Sequence, residues 1–467
     1  MHLPCYTGKE LKGRELKGRA AEGILEFPDG FAWGVATSAF QCEGAATSPH
    51  SSWTRWEALG HVRAGNRSGV ACDWWENAER DLDVARELGL NALRMSIEWS
   101  RIEPRPGHWD DRALERYRQI AAGLRDRGLE PMITLHHFTN PVWFEDAGAF
   151  LAEDSPERFS RFAARAVEVL SDFCRAWVTF NEPNVYTTEG YVTGHFPPGL
   201  RGRASLATRA QANIARAHAR TYRLIHELQP GASVGWAHHC VTFRPWRPDR
   251  RLDRLITGLY DASFNEPFPH ALQHGRMPLV LGGRLAGDLS EVRGAYDFVG
   301  INLYALMRVA FDPRRPRDLF GRRVVPPEAI RADPTADDLF GEPYPQGIAA
   351  FAERLGALGK PIYVLENGYP DRADRVRPWV IATAVRSMHD AIGRGLDLRG
   401  YYHWTLVDNF EWYSGWDLRF GLFELDERTQ ERTPRPSARL YSRIATTNGF
   451  DERWLEELTP GAAAIGA

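Results

Sequence analysis

The chain has 467 residues, with 58 Lys and Arg against 61 Asp and Glu, for a formal net charge of -3. So even a balance, with no basic stripe along the chain, excludes the electrostatic footprint of a nucleic-acid partner, and no apolar run is long enough to span a membrane. The length allows several average domains or one large barrel.

The N-terminal run MHLPCYTGKELKGRELKGRAAEG carries charges but no apolar centre, so it does not read as a secretory signal. Residues 1–26 are expected to form a terminal extension and 451–467 a tail. The five cysteines (Cys5, Cys42, Cys72, Cys174 and Cys240) are odd in number and contain no CxxC, which argues against a disulfide framework and against a zinc knuckle. A cytoplasmic protein is the expectation.

Eight short runs rich in β-branched and aromatic residues follow in order. They are FAWGVAT (31–37), ALRMSIEW (92–99), PMITLHHF (131–138), AWVTF (176–180), SVGWAHH (233–239), YDFVGINLY (296–304), PIYVLENG (361–368) and GYYHWTLV (400–407). Between them lie stretches of helical period, such as DRALERYRQIAAGLRDRG and SPERFSRFAARAVEVLSDF, several opened by Ser, Asp or Pro and closed by Gly. Eight alternations with near-continuous apolar strands predict an α/β chain folded as a single (β/α)8 TIM barrel over 27–450. The surplus length falls in stretches 38–74, 181–203 and 305–345, after the first, fourth and sixth strands, where this fold builds its sites.

The tetrapeptide FNEP occurs twice. The first copy follows AWVTF, so Asn181 and Glu182 are predicted at the barrel mouth. The second follows the helical stretch RLDRLITGLYDAS, and Asn265, Glu266 and Pro267 are expected to form a helix-ending turn outside the barrel. In YVLENGY, Glu366 ends the seventh strand as Glu182 ends the fourth. Two facing carboxyl groups suit glycoside hydrolysis, and their separation decides between retention and inversion. An ion pair at each strand end is the plain alternative for either Glu alone.

With these motifs the chain resembles glycoside hydrolase family 1, the β-glucosidase family. The resemblance runs from about Phe27 to about Tyr441 and rests on FPDGFAWGVATSAFQCEG, LRMSIEWSRIEP, TLHHFTNP, TFNEP, GINLY, LENG, GYYHWTLVDNFEW and RFGL, in that order. It implies Glu366 as an ionised nucleophile and Glu182 as the protonated acid, later the base. It implies Arg94 and Tyr304 as the pair orienting the nucleophile, and Asn181 as the ligand of the sugar 2-hydroxyl. Gln41, His137, Trp404, Glu411, Trp412 and Phe420 would line the sugar site. Relatives acting on 6-phosphorylated sugars grip the phosphate with Ser, Lys and Tyr, where this chain aligns Glu411, Leu418 and Phe420, so unphosphorylated β-glycosides are expected. The plant thioglucosidases carry Gln in place of the acid, whereas this chain keeps Glu182. The run CDWWENAERD replaces a His-containing run common in the family and borders the leaving-group side.

The resemblance thus implies a retaining β-glycosidase acting on β-D-glucosides, with β-D-galactosides and β-D-fucosides accepted, no cofactor, no metal and a small-molecule partner. A transglycosidase using the same two glutamates, or a β-glycosidase with a specialised aglycone, is the alternative. A silent sugar-binding barrel would have lost one of the carboxylates, and a metal-dependent hydrolase needs spaced ligands. His136–His137 and His238–His239 are adjacent pairs whose side chains point apart on a strand.

Overall fold

The computed structural model describes residues 24–278, 286–326, 329 and 341–458. Residues 1–23, 279–285, most of 327–340 and 459–467, with Cys5 and parts of the proposed extension, tail and sixth-strand loop, lie outside the described residues.

All eight expected strands form: Ala32–Ala36, Ala92–Ser96, Glu130–His136, Ala176–Asn181, Ser233–Pro245, Phe298–Phe311, Ile362–Asn367 and Leu398–Trp404. Each pairs in parallel with its chain neighbour, and the eighth pairs with the first, so the sheet closes into a barrel. A buried cluster including Ala36, Ala92, Met132, Val178, Phe298 and Leu365 fills it. Closure leaves no strand edge, and full burial of each large apolar side chain contributes about 1.5–3 kcal/mol.

The crossover helices follow the sequence pattern. In Asp111–Asp126, the buried residues Ala113, Leu114, Tyr117, Ile120, Ala121 and Leu124 recur at helical spacing and face the sheet. The Asp110 carboxylate accepts from the backbone N–H groups of Arg112 and Ala113 at 2.9 and 3.1 Å. Losing such a cap costs about 1 kcal/mol. Residues 24–26, grouped by sequence with the terminal extension, pair antiparallel with Gly449–Asp451, and a helix, Arg453–Leu458, follows.

The fifth and sixth strands run well past their expected ends. They continue as a paired ribbon to Pro245 and Val309, and Gly321–Val324 and Glu342–Pro343 add to the sixth strand antiparallel. The 305–345 stretch is therefore in part a sheet extension. Its Arg-rich run over 312–324 carries no apolar alternation that would mark a strand.

At the mouth the strand ends crowd together. A Cβ on Gly368, just after the seventh strand, would lie 2.2 Å from the carbonyl oxygen of Trp404 on the eighth. Glycine there lets the strand carrying Glu366 press against the strand carrying Trp404.

Candidate active site

Glu366 lies near the end of the seventh strand and is buried. The Arg94 guanidinium donates to its Oε1 at 2.5 Å, and the Tyr304 hydroxyl donates to its Oε2 at 2.6 Å. Arg94 is itself fully buried, a position a guanidinium holds only when paired. It also donates to Thr134 Oγ1 at 3.0 Å and to Asn181 Oδ1 at 2.6 Å. The second and sixth strands thus supply the two donors to this carboxylate, and the third and fourth hold the guanidinium in place. Burial pushes the Glu366 carboxyl up to about 7; the Arg94 charge opposes this, the nearby Glu182 adds to it, and the Tyr304 hydrogen bond opposes it. Burial also holds the Tyr304 phenol well above its usual range, so it remains a hydrogen-bond donor.

Glu182 follows the fourth strand directly, in a left-handed conformation with φ 45°. For a residue with a side chain this costs about 1–2 kcal/mol. It persists because Pro183 opens a helix immediately afterwards and the Glu182 N–H donates to the Ala237 carbonyl at 2.8 Å. Strain of this kind gathers at functional positions. Glu182 Oε1 accepts from Asn302 Nδ2 at 2.8 Å and lies 2.8 Å from His239 Nδ1.

Asn302 and His239 are the two residues that sequence reasoning missed. Asn302 stood unremarked inside GINLY, and His239 was considered only as a metal ligand. Strand register was the available signal: Asn181 pairs with Ala237, and His239, two residues on, pairs with Asn302.

The expected sugar-binding residues gather around the two glutamates. Gln41 Nε2 donates to Glu411 Oε2 at 3.0 Å and to the Phe410 carbonyl at 2.9 Å, and Ser38 fixes the Gln41 carbonyl oxygen at 2.8 Å. Burial lifts the Glu411 carboxyl to about 8, the Glu366 charge adds to this, and hydrogen bonds from Gln41 and Trp404 oppose it. The His137 ring is stacked 5.9 Å from both Trp404 and Trp412. Asn181 Oδ1 accepts from Arg94 and Asn302, so its amide nitrogen faces His137 Nε2, at 3.1 Å. Burial holds His137 neutral. Nε2 is then the acceptor, and Nδ1 carries a hydrogen with no protein partner among the described residues. Trp412 packs on Phe40, Trp53 and Phe138 at ring distances of 6.0, 4.8 and 5.3 Å. Phe420 meets Tyr304 edge-on at 5.9 Å, with Leu418 in the same buried cluster.

The remaining histidines turn away. His136 Nε2 contacts Asn140 Oδ1 at 3.0 Å, and His238 Nε2 contacts the Asn265 carbonyl at 2.9 Å. Among the described residues, no group of three or more His, Cys, Asp or Glu side chains is arranged to hold a metal ion. The second FNEP copy is a joint between helices: Arg251–Phe264 ends on its first residue, and Pro267 opens the next. Asn265 is buried there and Glu266 pairs with Arg354.

The sequence profile of Glycosyl hydrolase family 1 matches residues 24–450. The chain belongs to glycosyl hydrolase family 1. It is 29% identical to beta-glucosidase A of Thermotoga maritima, over 92% of this chain and 100% of that one. It is 30% identical to a beta-galactosidase of Sulfolobus acidocaldarius, over 93% and 98%. A family 1 b-glucosidase structure from Thermotoga maritima, in complex with isofagomine lactam, superimposes with a TM-score of 0.85 at 28% identity, covering 91% of this chain and 100% of that one. This family 1 protein is accordingly a glycoside hydrolase of the β-glucosidase type, built on the barrel described above. No helix among the described residues is long and apolar enough to cross a membrane.

Proposed function

We propose that the protein hydrolyses β-D-glucosides lacking a phosphate, and also β-D-galactosides and β-D-fucosides, by double displacement with retention of configuration. The observation that carries this reading is the unequal treatment of the two glutamates. Both oxygens of Glu366 receive donors, from Arg94 and Tyr304, whereas the donors to Glu182 converge on Oε1. One carboxylate is aimed by donors on both oxygens, and the other keeps an oxygen for proton transfer.

In the first step a Glu366 oxygen bonds to the anomeric carbon as the glycosidic bond breaks, and the proton of Glu182 passes to the departing oxygen. In the second, water attacks the same carbon and gives its proton to Glu182. The ester bond to Glu366 breaks, and two inversions leave the configuration retained. Asn181, fixed by Arg94 and Asn302, meets the 2-hydroxyl. Its contact strengthens as the ring flattens, and so lowers the barrier rather than merely tightening binding. The Gln41–Glu411 pair and the free N–H of His137 take the other hydroxyls. Relatives named as a β-glucosidase and a β-galactosidase support the breadth in sugar. Leu418 and Phe420 bring no donor for a phosphate.

The test is release of p-nitrophenol from the β-glucoside, β-galactoside, β-fucoside and α-glucoside by wild type and Glu366→Ala. Wild type should act on the β-substrates alone. The variant should lose about 10⁴-fold or more in kcat, with azide restoring turnover and yielding the α-glycosyl azide. Undiminished activity in the variant, or a β-azide, would overturn the assignment.

A further inference from the structure

The partner of Glu182 is itself titratable. His239 Nδ1 and Asn302 Nδ2 both lie 2.8 Å from Glu182 Oε1, from paired positions on the fifth and sixth strands. The imidazole is fixed on its other sides: it stacks on Tyr304 with ring centres 5.8 Å apart and meets Phe264 edge-on at 5.8 Å. Its side chain is 19% exposed against 7% for Glu182, so it is the more accessible of the two to solvent. The charged groups that act on it most strongly are acids: Glu182 beyond the fourth strand, Glu366 on the seventh, and Glu189 in the turn after the helix that Glu182 caps, while its strand neighbour His238 is held neutral by burial. Tyr304 on the sixth strand stays neutral. Burial alone would push the imidazole to release its proton, but the three carboxylates outweigh it, and His239 holds a proton more firmly than an ordinary histidine.

We propose that His239 is a positioning residue that stores a proton for the acid/base glutamate, so that the Glu182–His239 pair shares one proton between them. This rests on the reading of Glu182 as acid and base given above. Two groups in such contact titrate as a pair. When the pair holds one proton, that proton is on Glu182, the form able to protonate the leaving oxygen, or on His239. The ratio of the two forms is fixed by their relative affinities and does not change with pH. The rate therefore stays level until the pair loses its last proton. That loss comes at a pH no lower than either group would show alone. The stored proton is not consumed: Glu182 gives one proton to the leaving group and regains one from water. Between these events the N–H groups of His239 and Asn302 stabilise its carboxylate through Oε1.

His239→Asn provides a side-chain amide near Nδ1 but no site for a proton. The measurement is kcat/KM against pH with two substrates. An alkyl β-glucoside needs a proton on its leaving group; the 2,4-dinitrophenyl β-glucoside does not. For the alkyl substrate, the alkaline limb of the variant should move to lower pH by about one unit, and the level region should become a slope. For the dinitrophenyl substrate the two proteins should share the same alkaline limb. A limb that stays in place while the rate falls evenly at every pH would overturn the proposal, as would an equal shift with both substrates. If the variant does not fold, ¹⁵N-labelled histidine decides: the His239 imidazolium should lose its proton at lower pH in Glu182→Gln than in wild type, and equal titration in the two would overturn the pairing. Failure of wild type on every β-glycoside would instead count against the hydrolase reading itself.

Discussion

The Tyr304 hydroxyl, which donates to Glu366 Oε2 at 2.6 Å, can be removed without emptying its site. Tyr304→Phe keeps the ring, and with it the packing on His239 and Phe420 at 5.8 and 5.9 Å. A hydrogen bond to a charged acceptor contributes about 1.5–3 kcal/mol. At about 1.4 kcal/mol per pH unit, its loss lets the Glu366 carboxyl bind its proton about 1–2 units more tightly. The bond favours the carboxylate, so its removal moves the carboxyl upward, from a position that burial has already raised to about 7. Glu366 must be ionised to attack, so the acidic limb of kcat/KM moves to higher pH. At a fixed pH on that limb the rate should fall about 10- to 100-fold. The assay is kcat/KM for p-nitrophenyl β-glucoside across the pH range in both proteins, with thermal unfolding as a check on the fold. An acidic limb that does not move, beneath a rate lowered equally at every pH, would refute the claim that this hydroxyl holds the charge. A limb displaced to lower pH would refute its sign.

Glu182→Gln keeps the shape of the acid but not its proton. It should lower kcat/KM for alkyl β-glucosides by about 10²- to 10⁴-fold and affect the dinitrophenyl glucoside far less; equal losses on both would count against Glu182 as the acid. Arg435 and Asp408 form a buried two-pronged pair at 3.0 and 2.7 Å, beneath the segment that carries Glu411 and Trp412. Arg435→Met leaves the Asp408 charge buried without it, so the free energy of unfolding in denaturant should fall by about 3–5 kcal/mol. A loss below about 1 kcal/mol would mean that water reaches Asp408.

The barrel was legible because each strand buried on both faces wrote a short apolar run and each crossover helix wrote a 3.6-residue stripe, as in Ala113, Leu114, Tyr117, Ile120, Ala121 and Leu124. The two glutamates were legible because they stand at matching strand ends. Other features left no local trace. The ribbon beyond the mouth buries Leu306, Val309 and Ala310, but it pairs Val309 and Ala310 with the Arg-rich run Gly321–Val324, which carries no apolar alternation. The raised Glu366 carboxyl depends on how much water the neighbouring strands exclude, which no motif records. His239 was hidden because its role depends on pairing between strands whose residues lie far apart in sequence.

The duplicated FNEP joins these observations. Its second copy carries no carboxylate to the site, yet it grips the strand that presents His239. Asn265 Oδ1 accepts from the Val241 N–H at 3.1 Å, and Asn265 Nδ2 donates to the Val241 carbonyl at 2.9 Å. The Asn265 carbonyl takes the His238 ring at 2.9 Å. The fifth strand is thus clipped on its outer face on both sides of His239. With His238 turned outward and held, alternation sends His239 inward, onto Glu182 of the first copy. One FNEP supplies the acid, and the other fixes the back of the strand that positions the acid's partner. This follows from backbone and side-chain geometry rather than from the repeated letters. The same four residues take different roles because one set ends a barrel strand and the other joins two helices outside it.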